Sequence, residues 1–116
     1  MTLRFAVQAI RLSAGLFLSL STTSDAAESR TLAAIRGKAI LQEKCGRCHA
    51  IELIGESPLK NAPPMRDIYS RFNPRALEEG LSEGIGSVHK EMPQIQFSDE
   101  DAYAILSYLY ALAVRK

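Results

Sequence analysis

The chain has 116 residues, 47% of them hydrophobic and 23% charged, with a formal net charge of +1; this is enough for one domain. No dense basic stripe or block of like charge occurs, which excludes a nucleic-acid footprint and a polyanion-binding tail. Two cysteines and two histidines are the whole supply of thiol and imidazole.

The first quarter differs from the rest. Arg4 and Arg11 come first, the apolar run Leu12 to Leu20 follows, and small or polar residues fill Ser21 to Ala27. This order predicts a secretory signal peptide over residues 1–26, with Ser24 and Ala26 suited to the positions just before a cut at Ala27. A membrane anchor is the competing reading, yet the apolar run is well short of the ~20 residues a spanning helix needs. Cleavage removes two basic residues and one acidic residue and leaves residues 27–116 as a neutral domain in the periplasm. A hydrophobic core is marginal at that size, and a cofactor held inside it is a welcome staple.

Leu32, Ile35, Ala39 and Ile40 fall at helical spacing and predict an N-terminal helix running to about His49. Gly37 interrupts it. Glycine inside a helix costs about 1 kcal/mol relative to alanine, so either another helix crosses closely there or the position is simply tolerated. The helix leads into Cys45-Gly46-Arg47-Cys48-His49, a C-x-x-C-H run whose spacing is that of covalent c-type haem attachment. On a helical turn residues 45, 48 and 49 share one face. Two thiols can then add to the two vinyl groups of one porphyrin while the His49 imidazole reaches iron. A zinc site needs a fourth ligand beyond Cys45, Cys48 and His49, and only His89, far along the chain, is left over for it. A redox disulfide lacks the βαβ setting of a thioredoxin-like fold; an oxidising compartment closes two free thiols into a disulfide, so C-x-x-C-H there reads as thioethers instead.

Further along, three prolines and a glycine make Gly55 to Pro64 a loop, and Met65 to Phe72 has room for one or two helical turns. Asn73-Pro74 reads as an N-cap followed by proline at the first helical position, opening a helix to about Glu83; Gly80, Gly84 and Gly86 blur its end. Ser98 and Asp101 form a capping box with Asp in place of Glu. Behind it Ala102, Ile105, Leu106, Leu109, Leu112 and Ala113 make the clearest apolar stripe in the chain. The helix carrying Gly37 is its natural partner. Strand-like alternation is missing throughout, so the fold class is all-α.

With His49 on one side of the iron, one axial position is left to Met65, His89, Met92 or a lysine such as Lys90. Pro93 stiffens the loop around Met92, and a stiff loop can hold a weak thioether bond. Met65 reads as a pocket wall and His89 as a solvated side chain. Tyr69, Tyr103, Tyr108 and Tyr110 read as core or rim aromatics, one of whose hydroxyls can reach a haem propionate. Lys38, Lys44, Arg47, Lys60 and Lys90 read either as a ring that steers an acidic partner or as scattered solubilising charge.

Gly37, Cys45 to His49, Ala62-Pro63-Pro64, Met92-Pro93 and the closing Tyr108-Leu109-Tyr110-Ala111-Leu112 together resemble the small monohaem class I c-type cytochromes of bacterial periplasms, over about Arg30 to Val114. The resemblance implies a cytochrome c fold, about three to four helices wrapped around one covalently attached haem c. It also implies His49 as proximal ligand, Met92 as distal ligand, and a proline carbonyl, from Pro58 or Pro63, accepting the ring N–H of His49. Gly37 is then expected to pack under Tyr108 or a neighbour. The implied function is electron carriage by a monomer, without enzymatic activity, between redox proteins such as a dehydrogenase, reductase or oxidase. Contact with a membrane is expected only if the leader is retained. Two other readings stand beside it: a small-gas-binding or sensory haem protein in which Met92 is displaced, and the electron-accepting subunit of a periplasmic dehydrogenase.

Overall fold

A computed structural model of the chain describes residues 22–84 and 91–115. Among them every regular element is a helix: α1 (Thr22–Lys44), α2 (Met65–Arg71), α3 (Pro74–Glu83) and α4 (Asp99–Ala113). The run Leu12 to Leu20, and Gly86, His89 and Lys90, lie outside the described residues, and the cut expected before Ala27 falls within α1. No helix among the described residues is long and apolar enough to cross a membrane.

Local chemistry sets the ends of the two later helices. Asn73 accepts the N–H groups of Arg75 and Ala76 through Oδ1, and Pro74, which has no N–H to satisfy, takes the first helical position. At α4, Ser98 Oγ accepts from the Asp101 N–H at 3.1 Å. The Asp101 carboxylate does not complete a capping box as expected; it accepts from Arg36 of α1 at 2.8 Å, and Glu100 contacts the same guanidinium. The start of α4 is thus tied to the middle of α1.

α4 is the hub, with α1 crossing one side and α2 and α3 covering others. At the crossing Gly37 is buried, and a Cβ built on it would stand 1.9 Å from the Ala104 carbonyl oxygen. Backbone lies against backbone here: the atoms nearest that Cβ belong to the peptide between Ala104 and Ile105, one turn before Tyr108.

The residues whose spacing predicts α1 do not all lie on its buried face. Leu32 and Ile35 are 60% and 63% exposed, and Ala39 is exposed too. The packed face is Ala34, Gly37, Leu41 and Cys45, joined by part-buried Ile40. Small residues at 34 and 37 let the axes approach closely, whereas Leu32 and Ile35 on that face would hold α4 away. Leu41, Ile51, Met65, Leu77, Leu81, Ile105, Leu109 and Leu112 close around the crossing, with Ala102 and Tyr108, as one apolar core.

Candidate functional site

Past Lys44 the chain winds one more turn instead of turning away. The Cys45 N–H donates to the Leu41 carbonyl at 2.8 Å, and both the Cys48 and His49 N–H groups donate to the Cys45 carbonyl, at 3.1 and 2.9 Å. Cys45, Cys48 and His49 therefore lie on a single helical turn just beyond α1, as their spacing predicts. Both thiols are free and half-buried. Burial, reinforced by Cys48, pushes the Cys45 thiol up to about 11.

The His49 ring is fixed from one side. Its Nδ1 stands 2.6 Å from the Pro63 carbonyl oxygen. A carbonyl can only accept, so Nδ1 carries a proton and donates; in the neutral ring this tautomer leaves the lone pair on Nε2. Of the two candidate prolines, Pro63 supplies this acceptor. A turn closed by the Ala62 N–H on the Leu59 carbonyl brings it round, while Pro58 lines an open cavity beside His49 with Gln42, Gly46 and Glu52.

The backbone around His49 is held as firmly as the ring. The Leu59 N–H donates to the Cys48 carbonyl at 3.1 Å, and the Met65 N–H to the Ala50 carbonyl at 2.9 Å. The Ala50 N–H donates to Ser57 Oγ at 3.0 Å, and the Tyr108 hydroxyl donates to the Ile51 carbonyl at 2.9 Å. Next to that contact Lys38 and Glu52 pair at 2.7 Å. Burial, then the Glu52 charge, raises the Tyr108 phenol above its ordinary value. The Ser57 and Tyr108 contacts were not foreseen: a serine in a polar loop gives no signal of its partner, and Tyr108 spends its hydroxyl on a backbone carbonyl, not on a propionate.

Cys45, Cys48, His49 and Pro63 are thus brought together. Met65 is 7% exposed inside the core, whereas Met92, on the connection from α3 to α4, is 36% exposed. Of the five cations considered as a steering ring, Lys38 and Lys44 are paired with Glu52 and Glu43, and Arg47 and Lys60 are exposed. Among the described residues no three His, Cys, Asp or Glu side chains converge to hold a bare metal ion. The donor set suits a porphyrin instead: two free thiols on one turn, an imidazole with Nε2 available, and apolar Leu59 partly uncovered beside Cys48.

An all-helical chain with this turn closing its first helix is a small c-type cytochrome domain. The family model described as cytochrome C oxidase, cbb3-type, subunit III matches residues 32–109, and the chain belongs to that family. The match runs from α1 into α4 and includes the whole Cys45 to His49 turn. Nothing matches the chain among curated proteins or among solved structures. Membership makes haem the cofactor and electron transfer the chemistry.

Proposed function

We propose that this chain carries single electrons on one haem c, bound by thioethers to Cys45 and Cys48, with His49 Nε2 as proximal ligand and Met92 Sδ as distal ligand. When bound, the haem supplies a reversible one-electron ferric–ferrous couple. The observation that carries this reading is the His49–Pro63 hydrogen bond. Committing Nδ1–H to a carbonyl fixes the tautomer, orients the ring and raises the basicity of Nε2, which is what an axial imidazole requires. The burial of Met65 and the part-exposed position of Met92 support Met92 as the sulfur that faces the other side. A neutral thioether favours ferrous iron more than a second imidazole would, so the potential lies above that of a bis-histidine centre.

The leader, residues 1–26, directs the domain to the periplasm, where it is cut before Ala27 and the domain acts as a monomer. Partners are redox proteins. The family description names an oxidase subunit, and an oxidase accordingly stands with dehydrogenases and reductases as a partner class.

Visible spectroscopy of protein made in a host that exports and matures c-type cytochromes tests the proposal. The expected result is a c-type pyridine haemochrome at one haem per chain. The ferric form should show the red-end band of sulfur-to-iron coordination, and carbon monoxide should leave the ferrous spectrum unchanged. A colourless product or an extractable pigment overturns covalent attachment. Ready carbon monoxide binding transfers the assignment to a gas-binding haem protein.

A further inference from the structure

Three successive peptide planes around His49 are each held by one hydrogen bond from the loop that follows. The Leu59 N–H holds the plane between Cys48 and His49 through the Cys48 carbonyl. Ser57 Oγ holds the next plane through the Ala50 N–H, and the Met65 N–H holds the one after it through the Ala50 carbonyl. Because peptide units are rigid, holding the planes on either side of His49 fixes its φ and ψ between them. Together they aim its Cα–Cβ bond. Of the three anchors only Ser57 is a side chain, and Pro58 after it confines Ser57 to extended backbone, so the hydroxyl is presented from a stiff support.

We propose that Ser57 is a positioning residue for His49: by accepting the Ala50 N–H it locks the plane between His49 and Ala50 and keeps the imidazole at the angle where Nδ1–H meets the Pro63 carbonyl. The inference rests on the reading of His49 as proximal ligand. Without the hydroxyl, the buried Ala50 N–H loses its partner, the plane rotates to find another, and the ring swings with it. The Nδ1–H bond to Pro63 then weakens, Nε2 becomes less basic, and ferric iron is less well stabilised.

The test compares haem-loaded wild-type, Ser57→Ala and Ser57→Thr proteins by NMR exchange of the His49 Nδ1–H in the ferrous form and by reduction potential. Ser57→Ala is expected to exchange about tenfold faster, the effect of losing one hydrogen bond, and to shift the potential upward. Ser57→Thr, which keeps the hydroxyl, restores both values. A His49-ligated Ser57→Ala protein that loses thermal stability but keeps wild-type exchange and potential overturns this inference alone. A wild-type protein without haem on His49 overturns it together with the proposed function. The wild type also supplies a check that needs no variant: an Ala50 amide exchanging as fast as exposed loop amides overturns the inference even if Ser57→Ala does not fold.

Discussion

His49 Nδ1 and the Pro63 carbonyl oxygen meet at 2.6 Å across fourteen residues of chain, which leaves the opposite side of the proposed centre as the main variable. Met92→Ala should open that side, abolish the red-end ferric band, lower the potential and admit carbon monoxide. Optical titration reads all of these. An unchanged spectrum moves the distal assignment to Met65 or His89.

Gly37→Ala sets two effects against each other. Helix propensity favours alanine by about 1 kcal/mol, but the added Cβ would fall 1.9 Å from the Ala104 carbonyl oxygen. The obstacle is backbone, so α1 and α4 must separate, at a cost of roughly 1–3 kcal/mol or more. The clash wins, and denaturant unfolding should show a lowered midpoint. A stabilised variant would mean that the helices do not cross there.

Tyr108→Phe leaves the Ile51 carbonyl without its donor and should cost about 1–3 kcal/mol. It also changes the response to alkali. The folded phenol has a raised pKa, from burial and then Glu52, so the unfolded chain gives up this proton first. The contribution of Tyr108 to stability is full below pH ~10 and lost as pH climbs through the folded value. Stability curves against pH should therefore fall less steeply above pH ~10 in the phenylalanine variant than in the parent.

The two apolar faces of α1 should respond differently to truncation. Leu41, 2% exposed, should cost about 2–5 kcal/mol as Leu41→Ala. Leu32→Ala and Ile35→Ala remove side chains that are already largely in water and should stay within about 0.5 kcal/mol. Equal losses at Leu41 and Leu32 would reverse the orientation of the helix.

Replacing both Cys45 and Cys48 by serine should leave only dissociable haem and a largely unfolded chain, because a group that binds the native state alone stabilises it by mass action. Circular dichroism with a haem-stain gel measures both. A double variant as helical and as strongly coloured as the parent would disprove thioether attachment.

The legible parts of this molecule are those set by neighbours in the chain. Asn73-Pro74 announces α3 because cap and first-turn proline act within a few residues, and the Cys45 to His49 turn announces itself by spacing. The face of α1 was not legible: Leu32 and Ile35 make the more hydrophobic stripe, but the choice is made by how closely Ala34 and Gly37 let α4 approach. Pro58 and Pro63 could not be separated either, since both lie in the same loop and only the turn from Leu59 to Ala62 decides which carbonyl reaches His49. Ser57 carried no sign at all, because its partner is a backbone amide whose direction exists only after folding.

The pairing of Gly37 with Ala104 joins residues far apart in the chain, so the surface that shields Leu41 forms only when α4 closes back onto α1. Closing so long a loop costs chain entropy before any contact repays it, and this crossing is therefore the step that limits how fast the core assembles.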